Sequence, residues 1–529
     1  MRLPLFSVIG LSLVMAACMP QASQETSAPH NKASDNVASV YAAPALLELS
    51  LPELSVKLAA GETTSLDLTD AYLQRIKALQ TDGPQLRAFI ELNPAARAFA
   101  RESDKRRAAG QSLGPLDGIP IALKDNIETL DPMPTTAGAA VLARNVTERN
   151  SPLVAGLRSH GAVVLGKTNL SEWANFKSEN SSSGYSEIAG QVRNPHVLGR
   201  NPCGSSSGSG VAVAASLAAG AVGTETNGSI ICPAQVNGVV GFKPTVGLVP
   251  QDYIVPISAS QDTAGPMTKT VLGAAMMLGP MAGEGADYAA TLDVDSLSGT
   301  RVGVMAFSLN SDLDLTAKFN AAKDVLAGQG AVLVPIEAFD IATDDFWDKA
   351  LLVLEYEFKD GVDRYLADAP KSVLTRSLAD VIAYNKGAFS EPAYDQDLLI
   401  RSDARGALTS ADYLAALADI QKAARGDGID SLLKTYDVDV LIGPSGPIAP
   451  LHIPGEADEW GDWAGAGYLA AVAGYPNLTV PMGLVGKIPV GLSFMGAKDS
   501  DAKILSYGYA YEQASRARTA PQYLKDDSN

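Results

Sequence analysis

Two serine clusters, each flanked by glycine, lie close together near the middle of the 529-residue chain. They belong to the segment Asn201–Gly247, which reads NPCGSSSGSGVAVAASLAAGAVGTETNGSIICPAQVNGVVGFKPTVG. Between them stands a run of mostly Ala, Val, Ser and Leu, which predicts an apolar helix rather than a solvent-exposed linker. Because glycine and other small residues let the backbone approach a bound substrate closely, the pattern indicates a hydrolase active site with a serine nucleophile.

A serine nucleophile needs a base, and histidine is disfavoured in this role. The segment Gly204–Gly208 fits the GxSxG nucleophile elbow, in which a histidine must follow in the chain. The sequence has four histidines, and only His452 follows the elbow, without a clear partnering aspartate before it. A Ser-His-Asp triad therefore stays open as the weaker alternative.

Lysine is the other candidate base, provided that it is held neutral, because only the uncharged amine has a lone pair to accept a proton. Burial disfavours the cation and can lower a lysine pKa from about 10.4 to near neutrality. Lys124 follows an apolar strand predicted at residues 119–123 and precedes Asp125 and Asn126. It is therefore the candidate base, and a salt-bridged lysine at a strand end is the competing interpretation.

A second short pattern, Gly161–Thr168, fits the phosphate-binding P-loop GxxxxGK[ST]. Its middle consists of four apolar residues and predicts a buried strand, whereas a phosphate cradle requires a turn after a strand. The sequence therefore does not predict nucleotide binding. The net charge of −18 likewise argues against nucleic acid and anionic membrane surfaces as partners.

Four segments taken together resemble the amidase signature family. They are, in chain order, GPLDGIPIALKDN, CGSSSGSG, GTETNGSIICPA and GVVGFKPTVG, and the spacing between Ser205 and Ser229 also agrees with that family. Further segments, SEWANF, SGYSEIAGQVRNP and ISASQDTAGPM, are similar to its bacterial peptide amidase branch. The resemblance covers most of the chain after its first residues.

The resemblance implies a Ser–cisSer–Lys triad that needs neither a metal nor an organic cofactor. Ser229 matches the nucleophile, Ser205 matches the bridging serine expected after a cis peptide bond, and Lys124 matches the base. In this relay Lys124 accepts a proton from Ser205, which accepts one from Ser229. The implied oxyanion hole is formed by the backbone N–H groups of Thr226, Asn227, Gly228 and Ser229.

The chain departs from the common family pattern near both serines. Cys203 and Ser207 replace glycines, while Glu225 replaces an aspartate and Asn227 replaces a glycine. Because asparagine tolerates unusual backbone angles, we expect the oxyanion loop to survive; alternatively, Asn227 faces the substrate. The three cysteines of the sequence show no metal-ligand spacing and no disulfide framework, so Cys203 and Cys232 are interpreted as small packing residues.

The first residues predict an export signal. Arg2 precedes the apolar run Leu3–Ala17, which is too short to span a bilayer, so residues 1–17 are predicted to be a signal peptide. The run resembles a lipoprotein box that would make Cys18 the lipidated first residue, and ordinary cleavage just before it is the alternative. Residues 18–44 predict a disordered tether, so we expect a periplasmic or cell-envelope protein that contacts the membrane only through its lipid anchor.

The remainder, residues 45–525, predicts one large α/β domain. Short β-like runs alternate with helical segments, which favours a mixed central sheet covered by helices on both faces. The amidase signature core corresponds to about residues 110–270, and a polar, helix-rich insertion is predicted at about 338–435. The predicted strands begin near Ile119, Ala162, Val239, Arg301, Ala331, Val438, Asn477 and Val490.

These observations predict a serine amidohydrolase that converts a carboxamide to a carboxylate and ammonia through an acyl-enzyme. The resemblance makes the C-terminal amide of a peptide the leading substrate, and small aliphatic or aryl amides the alternative. Two less favoured hypotheses are an enzyme like the A component of glutaminyl-tRNA amidotransferases, which an export signal opposes, and a non-catalytic binding protein. Pocket residues are expected from the insertion and from the segment Trp460–Tyr468, and the oligomeric state stays open.

Overall fold

The computed structural model describes residues 41–283, 285–388 and 393–525. The predicted signal peptide, Cys18 and most of the predicted tether lie outside these residues. Within the described ranges, no helix is both long enough and apolar enough to cross a membrane. The described residues all belong to one compact unit.

A mixed sheet of eleven strands forms the centre of this unit. In chain order the strands of the protein are β1 (Phe89–Leu92), β2 (Pro120–Lys124), β3 (Val163–Thr168), β4 (Tyr185–Ser186), β5 (Gly190–Gln191), β6 (Gly220–Glu225), β7 (Val240–Lys243), β8 (Thr263–Thr268), β9 (Arg301–Met305), β10 (Val332–Ile336), β11 (Val440–Pro444), β12 (Asn477–Val485) and β13 (Ile488–Met495). Strands β4 and β5 pair with each other as a separate antiparallel hairpin.

The order across the large sheet is β1-β3-β2-β6-β8-β7-β12-β13-β11-β9-β10. Strands β3, β2 and β6 run parallel, as do β11, β9 and β10, and the other neighbouring pairs are antiparallel. The predicted fold class, an α/β domain with a mixed sheet, is therefore confirmed.

Helices connect the strands throughout the described residues. The α-helices are Ala45–Glu48, Leu51–Ala59, Ser65–Gln80, Ala96–Ala108, Pro152–Ser159, Ser207–Ala214, Ile231–Val236, Val271–Ala282, Leu313–Gly328, Phe346–Ala367, Leu378–Ala388, Asp397–Asp403, Ala411–Ala424, Asp430–Thr435, Gly467–Ala473 and Asp501–Ser515. Five of these lie in the interval 338–435, for which the sequence predicts a helix-rich insertion. Buried apolar side chains from three of the five, Phe346–Ala367, Ala411–Ala424 and Asp430–Thr435, pack with side chains of β9, β10, β11 and β13.

The sequence patterns miss strands β1, β6 and β8 of the large sheet and also the short hairpin formed by β4 and β5. The sequences of β6 (GAVGTE) and β8 (TAGPMT) contain mainly small residues rather than the β-branched and aromatic residues that favour strands. The structure explains one of these small residues, because a Cβ atom at Gly265 would lie 2.0 Å from the carbonyl oxygen of Phe242 on neighbouring β7. The apolar helix predicted between the serine clusters is present as Ser207–Ala214, and β6 follows it.

Candidate active site

Lys124 ends strand β2, and its side chain is fully buried. Its Nζ atom lies 2.8 Å from Ser205 Oγ. The same atom lies 2.8 Å from Thr224 Oγ1 and 3.2 Å from the Thr224 carbonyl oxygen. Since β2 and β6 are parallel neighbours, the sheet itself brings Lys124 beside Thr224. A lysine and a serine that are far apart in the sequence thus form a direct contact.

The environment of Lys124 favours the uncharged amine. Burial removes the cation from water and lowers the pKa of Lys124 from 10.5 to about 7, although the charges of Asp262 and Glu225 partly oppose this shift. Near neutral pH a large fraction of the amine is therefore uncharged and able to accept a proton.

The structure brings the two serine segments together. A cis peptide bond precedes Ser205, as the resemblance predicts, and the Ser205 side chain is fully buried. Ser229 lies on the loop that follows β6 and is also largely buried. The N–H group of Ser206 donates a hydrogen bond to the Ser229 carbonyl oxygen at 3.2 Å, which joins the backbones of the two segments.

Asp262 holds the start of the predicted oxyanion loop. Its Oδ1 atom accepts a hydrogen bond from Thr226 Oγ1 at 2.6 Å. Its Oδ2 atom accepts from the N–H groups of Ile257 and Ser258 at 2.8 and 2.9 Å. Burial raises the pKa of Asp262 from 3.8 to about 6, against the effect of these hydrogen bonds. The neighbouring Gln261 donates from Nε2 to the Thr226 carbonyl oxygen at 3.2 Å.

Glu225 anchors the other end of the same loop. Its Oε2 atom accepts from the N–H groups of Ile230 and Ile231 at 2.7 and 3.0 Å, at the start of the helix that follows Ser229. Between the two anchors, Asn227 is exposed and Gly228 has a φ of +82°, a conformation that favours glycine. The loop is therefore held at both ends, while its middle borders a cavity.

A disulfide joins Cys203 to Cys232, which corrects the interpretation of both as unpaired packing residues. The S–S distance is 2.04 Å, the Cα atoms lie 5.9 Å apart, and the two residues are 29 positions apart in the sequence. That interpretation was wrong because the fold, not the spacing, brings the residue before Gly204 next to the helix after Ser229. The sequence nonetheless contained evidence for the disulfide. Each cysteine lies close to a serine that was assigned to the same site. The chain also has a predicted export signal, and disulfides form in exported proteins.

The two short patterns set aside on sequence grounds also have structural explanations. The segment Gly161–Thr168 contains β3, so the prediction of a buried strand rather than a phosphate-binding turn is confirmed. Its Lys167 is buried and donates to a backbone carbonyl oxygen at 2.6 Å and to Thr135 Oγ1 at 2.7 Å. His452, the one histidine after the GxSxG match, contacts Ser182 Oγ through Nδ1 at 3.1 Å.

Sequence reasoning missed three residues that surround the lysine. Thr224 contacts Lys124 directly, Asn126 donates from Nδ2 to Thr224 Oγ1 at 3.1 Å, and Asp262 acts on the lysine through its charge. Each belongs to a segment that carries the family resemblance. Their position in these segments was the available evidence that they could belong to the site. A position in the sequence does not show which side chains face one another.

A cavity of about 630 Å³ borders the oxyanion loop and the disulfide. Four aromatic residues form part of its wall: Trp347, Trp460, Trp463 and Tyr468. The ring of Trp347 lies 5.0 Å from that of Tyr468, and the rings of Trp460 and Trp463 lie 5.7 Å apart. The insertion and the segment Trp460–Tyr468, from which pocket residues are expected, thus both line this cavity.

Comparisons with known proteins show the family of the chain. A family model described as Amidase matches residues 67–505. The chain belongs to the amidase signature family. This amidase is 44% identical to the native peptide amidase from Stenotrophomonas maltophilia, with a TM-score of 0.82 over 90% of this chain and 98% of that chain. It is 45% identical to a peptide amidase in complex with the competitive inhibitor chymostatin, with a TM-score of 0.84 over 90% and 99% of the two chains.

More distant relatives include both amidases and components of amidotransferases. A probable amidase of Arabidopsis thaliana is 34% identical, over 90% of this chain and 92% of its own. The A component of the glutamyl-tRNA(Gln) amidotransferase of Halorhodospira halophila is 33% identical, over 88% of this chain and 96% of its own. Family and relatives together identify an enzyme that hydrolyses amide bonds.

Proposed function

We propose that this amidase hydrolyses the C-terminal carboxamide of peptides to a carboxylate and ammonia. The observation that carries the proposed chemistry is the 2.8 Å contact between the buried Lys124 amine and Ser205 Oγ. The proposed substrate class is supported by the similarity to peptide amidases and by an aromatic cavity beside the Ser229 loop.

In the proposed mechanism the neutral amine of Lys124 accepts a proton from Ser205, and Ser205 accepts one from Ser229. The Ser229 oxygen attacks the carboxamide carbon, and backbone N–H groups of residues 226–229 stabilise the oxyanion of the tetrahedral intermediate. The relay then runs in reverse and protonates the departing nitrogen, so that the C–N bond breaks and ammonia leaves. Water, deprotonated through the same relay, cleaves the acyl-enzyme to release the carboxylate and restore Ser229.

Thr224 supports this role for the lysine. A neutral amine has two N–H bonds and one lone pair, and two Thr224 oxygens lie within hydrogen-bond distance of Lys124 Nζ. If both N–H bonds are directed at Thr224, the lone pair is left for the hydroxyl hydrogen of Ser205. Asn126 donates to Thr224 Oγ1 and so helps to fix the threonine side chain.

The nucleophile can be tested with a fluorophosphonate probe, which reacts covalently with activated serines. We expect the wild-type protein and Ser183→Ala, a serine variant in the wall of the same cavity, to be labelled. Ser229→Ala should lose both labelling and ammonia release. Equal labelling of wild type and Ser229→Ala would show that the nucleophile is another residue.

The substrate class can be tested by measuring ammonia release from a panel of amides. The panel contains N-acetylated dipeptide amides, simple aliphatic and aryl amides, and free glutamine. We expect the highest kcat/KM for the dipeptide amides. A clear preference for simple amides would favour the alternative amidase function, and a preference for glutamine would favour an amidotransferase-like function.

A further inference from the structure

The cavity beside the Ser229 loop contains a carboxamide side chain without a partner in the described part of the protein. Asn477 begins strand β12, its side chain is completely buried, and it lines this cavity. Neither Oδ1 nor Nδ2 of Asn477 has a hydrogen-bond partner among the described residues. Because a buried amide without partners destabilises a fold, this side chain is expected to bind something that enters the cavity.

The buried amide of Asn477 lies beside a residue of the cavity wall that has no side chain. Gly467, the first residue of a neighbouring helix, also lines the cavity, and a Cβ atom there would lie 3.3 Å from Asn477 Nδ2. By contrast, Ser445 in the same wall already shares its hydroxyl group with Thr479 at 2.6 Å and Ser493 at 3.0 Å. Asn477 is therefore available for a ligand, whereas the hydroxyl of Ser445 is occupied.

The chemistry of the wall favours a neutral ligand. Among the lining residues, Glu225 is the one with an ionisable acidic or basic side chain, and its Oε2 atom is held by two backbone N–H groups. A carboxamide offers one acceptor and a donor side by side, which matches the backbone N–H and C=O groups of one residue in an extended peptide, because these two groups point to the same side. The aromatic rings of Trp347 and Tyr468 provide apolar surface for adjacent side chains.

We propose that Asn477 binds the backbone N–H and C=O groups of one residue on the amino-terminal side of the scissile carboxamide, and thereby selects peptide amides over simple amides. Its Nδ2 atom donates to the carbonyl oxygen of that residue, and its Oδ1 atom accepts from the N–H group of the same residue. This inference rests on the proposed function, since it assigns a recognition role to a residue of the same site. Asn477 takes no part in proton transfer in this scheme.

The test compares the wild-type enzyme with Asn477→Leu, which keeps the size of the side chain but removes its donor and acceptor. We expect kcat/KM for an N-acetylated dipeptide amide to fall by about 10- to 100-fold, mainly through KM, because two hydrogen bonds are lost. For propionamide, which has no peptide group, the change should stay within about threefold. Ser445→Ala, in the same wall, should leave the ratio between the two substrates unchanged.

A depsipeptide amide, in which an ester oxygen replaces the backbone N–H that Asn477 Oδ1 would accept from, tests the same contact. This test does not depend on the folding of a single variant. The wild type should prefer the peptide over the depsipeptide, and both Asn477→Leu and Asn477→Ala should lose this preference. Equal losses for peptide and propionamide, or no loss for either, would overturn the assignment.

A binding measurement with the dipeptide amide distinguishes a failure of this inference from a failure of the proposed function. In a Ser229→Ala background, calorimetry should show that Asn477→Leu weakens binding of the dipeptide amide at least about tenfold. Unchanged affinity would refute the role of Asn477 even if peptide amides are substrates. Weakened affinity without ammonia release from the wild type would instead refute the proposed reaction and leave the binding role supported.

Discussion

In the proposed mechanism Lys124, a residue type that is normally a cation, serves as a base near neutral pH. Its amine is buried at the end of β2, where hydroxyl and carbonyl oxygens of Ser205 and Thr224 take the place of water. Burial favours the neutral form, while the nearby charges of Asp262 and Glu225 limit the shift and hold the pKa at about 7. In the proposed mechanism, the balance between these opposing effects sets the pH at which the enzyme gains activity.

We expect kcat/KM to rise with pH through about 7, because the pKa of Lys124 lies there and only the neutral amine accepts a proton. Below this pH the amine is protonated and the relay to Ser229 is blocked. Lys124→Met should lower kcat by roughly 10²- to 10⁴-fold and abolish this dependence. Rates measured on both sides of the Lys124 pKa, from mildly acidic to mildly alkaline buffer, would check the prediction, and a flat wild-type profile would contradict it.

Asp262→Asn should move the acidic limb of this profile to lower pH. The substitution removes a negative charge that stabilises the Lys124 cation, so the pKa of the lysine should fall further. An amide at position 262 can still accept from the N–H groups of Ile257 and Ser258 and donate to Thr226, so the loop keeps its anchor.

Glu357→Gln provides the control for Asp262→Asn. The charge of Glu357 acts on Asp262, and its carboxylate is bonded to Ser258, Ser260 and Tyr413. Because the charges that act on Lys124 are those of Asp262 and Glu225, and Glu357 is not among them, we expect removal of the Glu357 charge to leave the acidic limb in place. If the midpoint of the acidic limb moves equally in both variants, or in neither, then the charge of Asp262 does not control the pKa of Lys124.

At the scale of elements, the sequence predicts strands well where apolar β-branched residues cluster and fails where small residues dominate. Strands β3, β9 and β11 carry such residues and are found, whereas β6 and β8 are missed. Yet β6 is the strand that places Thr224 beside Lys124 and leads into the Ser229 loop. Nearby side chains leave little room at Gly220 and Gly223 of β6, and the backbone of β7 leaves none at Gly265 of β8. Local propensity cannot show these requirements.

The disulfide is the covalent link between the two serine segments. It joins the residue before Gly204 to the helix that follows Ser229, so it restrains both loops of the site. We expect the double variant Cys203→Ala/Cys232→Ala to lower the free energy of unfolding by roughly 2–4 kcal/mol, because the unfolded chain loses a closed loop. Its kcat should also fall, since the serine segments are held less firmly.

Denaturant unfolding with and without a reducing agent would check this prediction. Reduction should shift the wild-type midpoint toward that of the double variant and leave the double variant unchanged. If both proteins unfold at the same midpoint under oxidising conditions, the disulfide does not stabilise the fold.

At the scale of the whole molecule, the cavity beside the Ser229 loop is assembled from segments that are distant in the sequence. Trp347 belongs to the first long helix of the interval 338–435, while Trp460 and Trp463 precede helix Gly467–Ala473. The sequence could name these segments as sources of pocket residues, but not which side chains face the cavity. That arrangement exists only after the insertion helices pack against β9, β10, β11 and β13.

The disulfide is also relevant to the compartment in which the protein folds. Disulfides persist in oxidising compartments outside the cytosol, which is consistent with the export signal predicted for residues 1–17. We propose that the chain is exported and anchored through a lipid on Cys18. In a bacterial host with two membranes, the full-length wild type should then sediment with membranes.

Cys18→Ser should instead release the protein into the soluble periplasmic fraction, because it removes the site of lipid attachment and leaves the enzyme domain intact. The disulfide should form in both proteins, so thiol titration should find Cys203 and Cys232 unreactive in each. Specific activity per enzyme should be equal, because the anchor takes no part in the reaction. A wild-type protein found in the cytosol with both cysteines reduced would contradict export, and membrane association of Cys18→Ser would contradict anchoring through this residue.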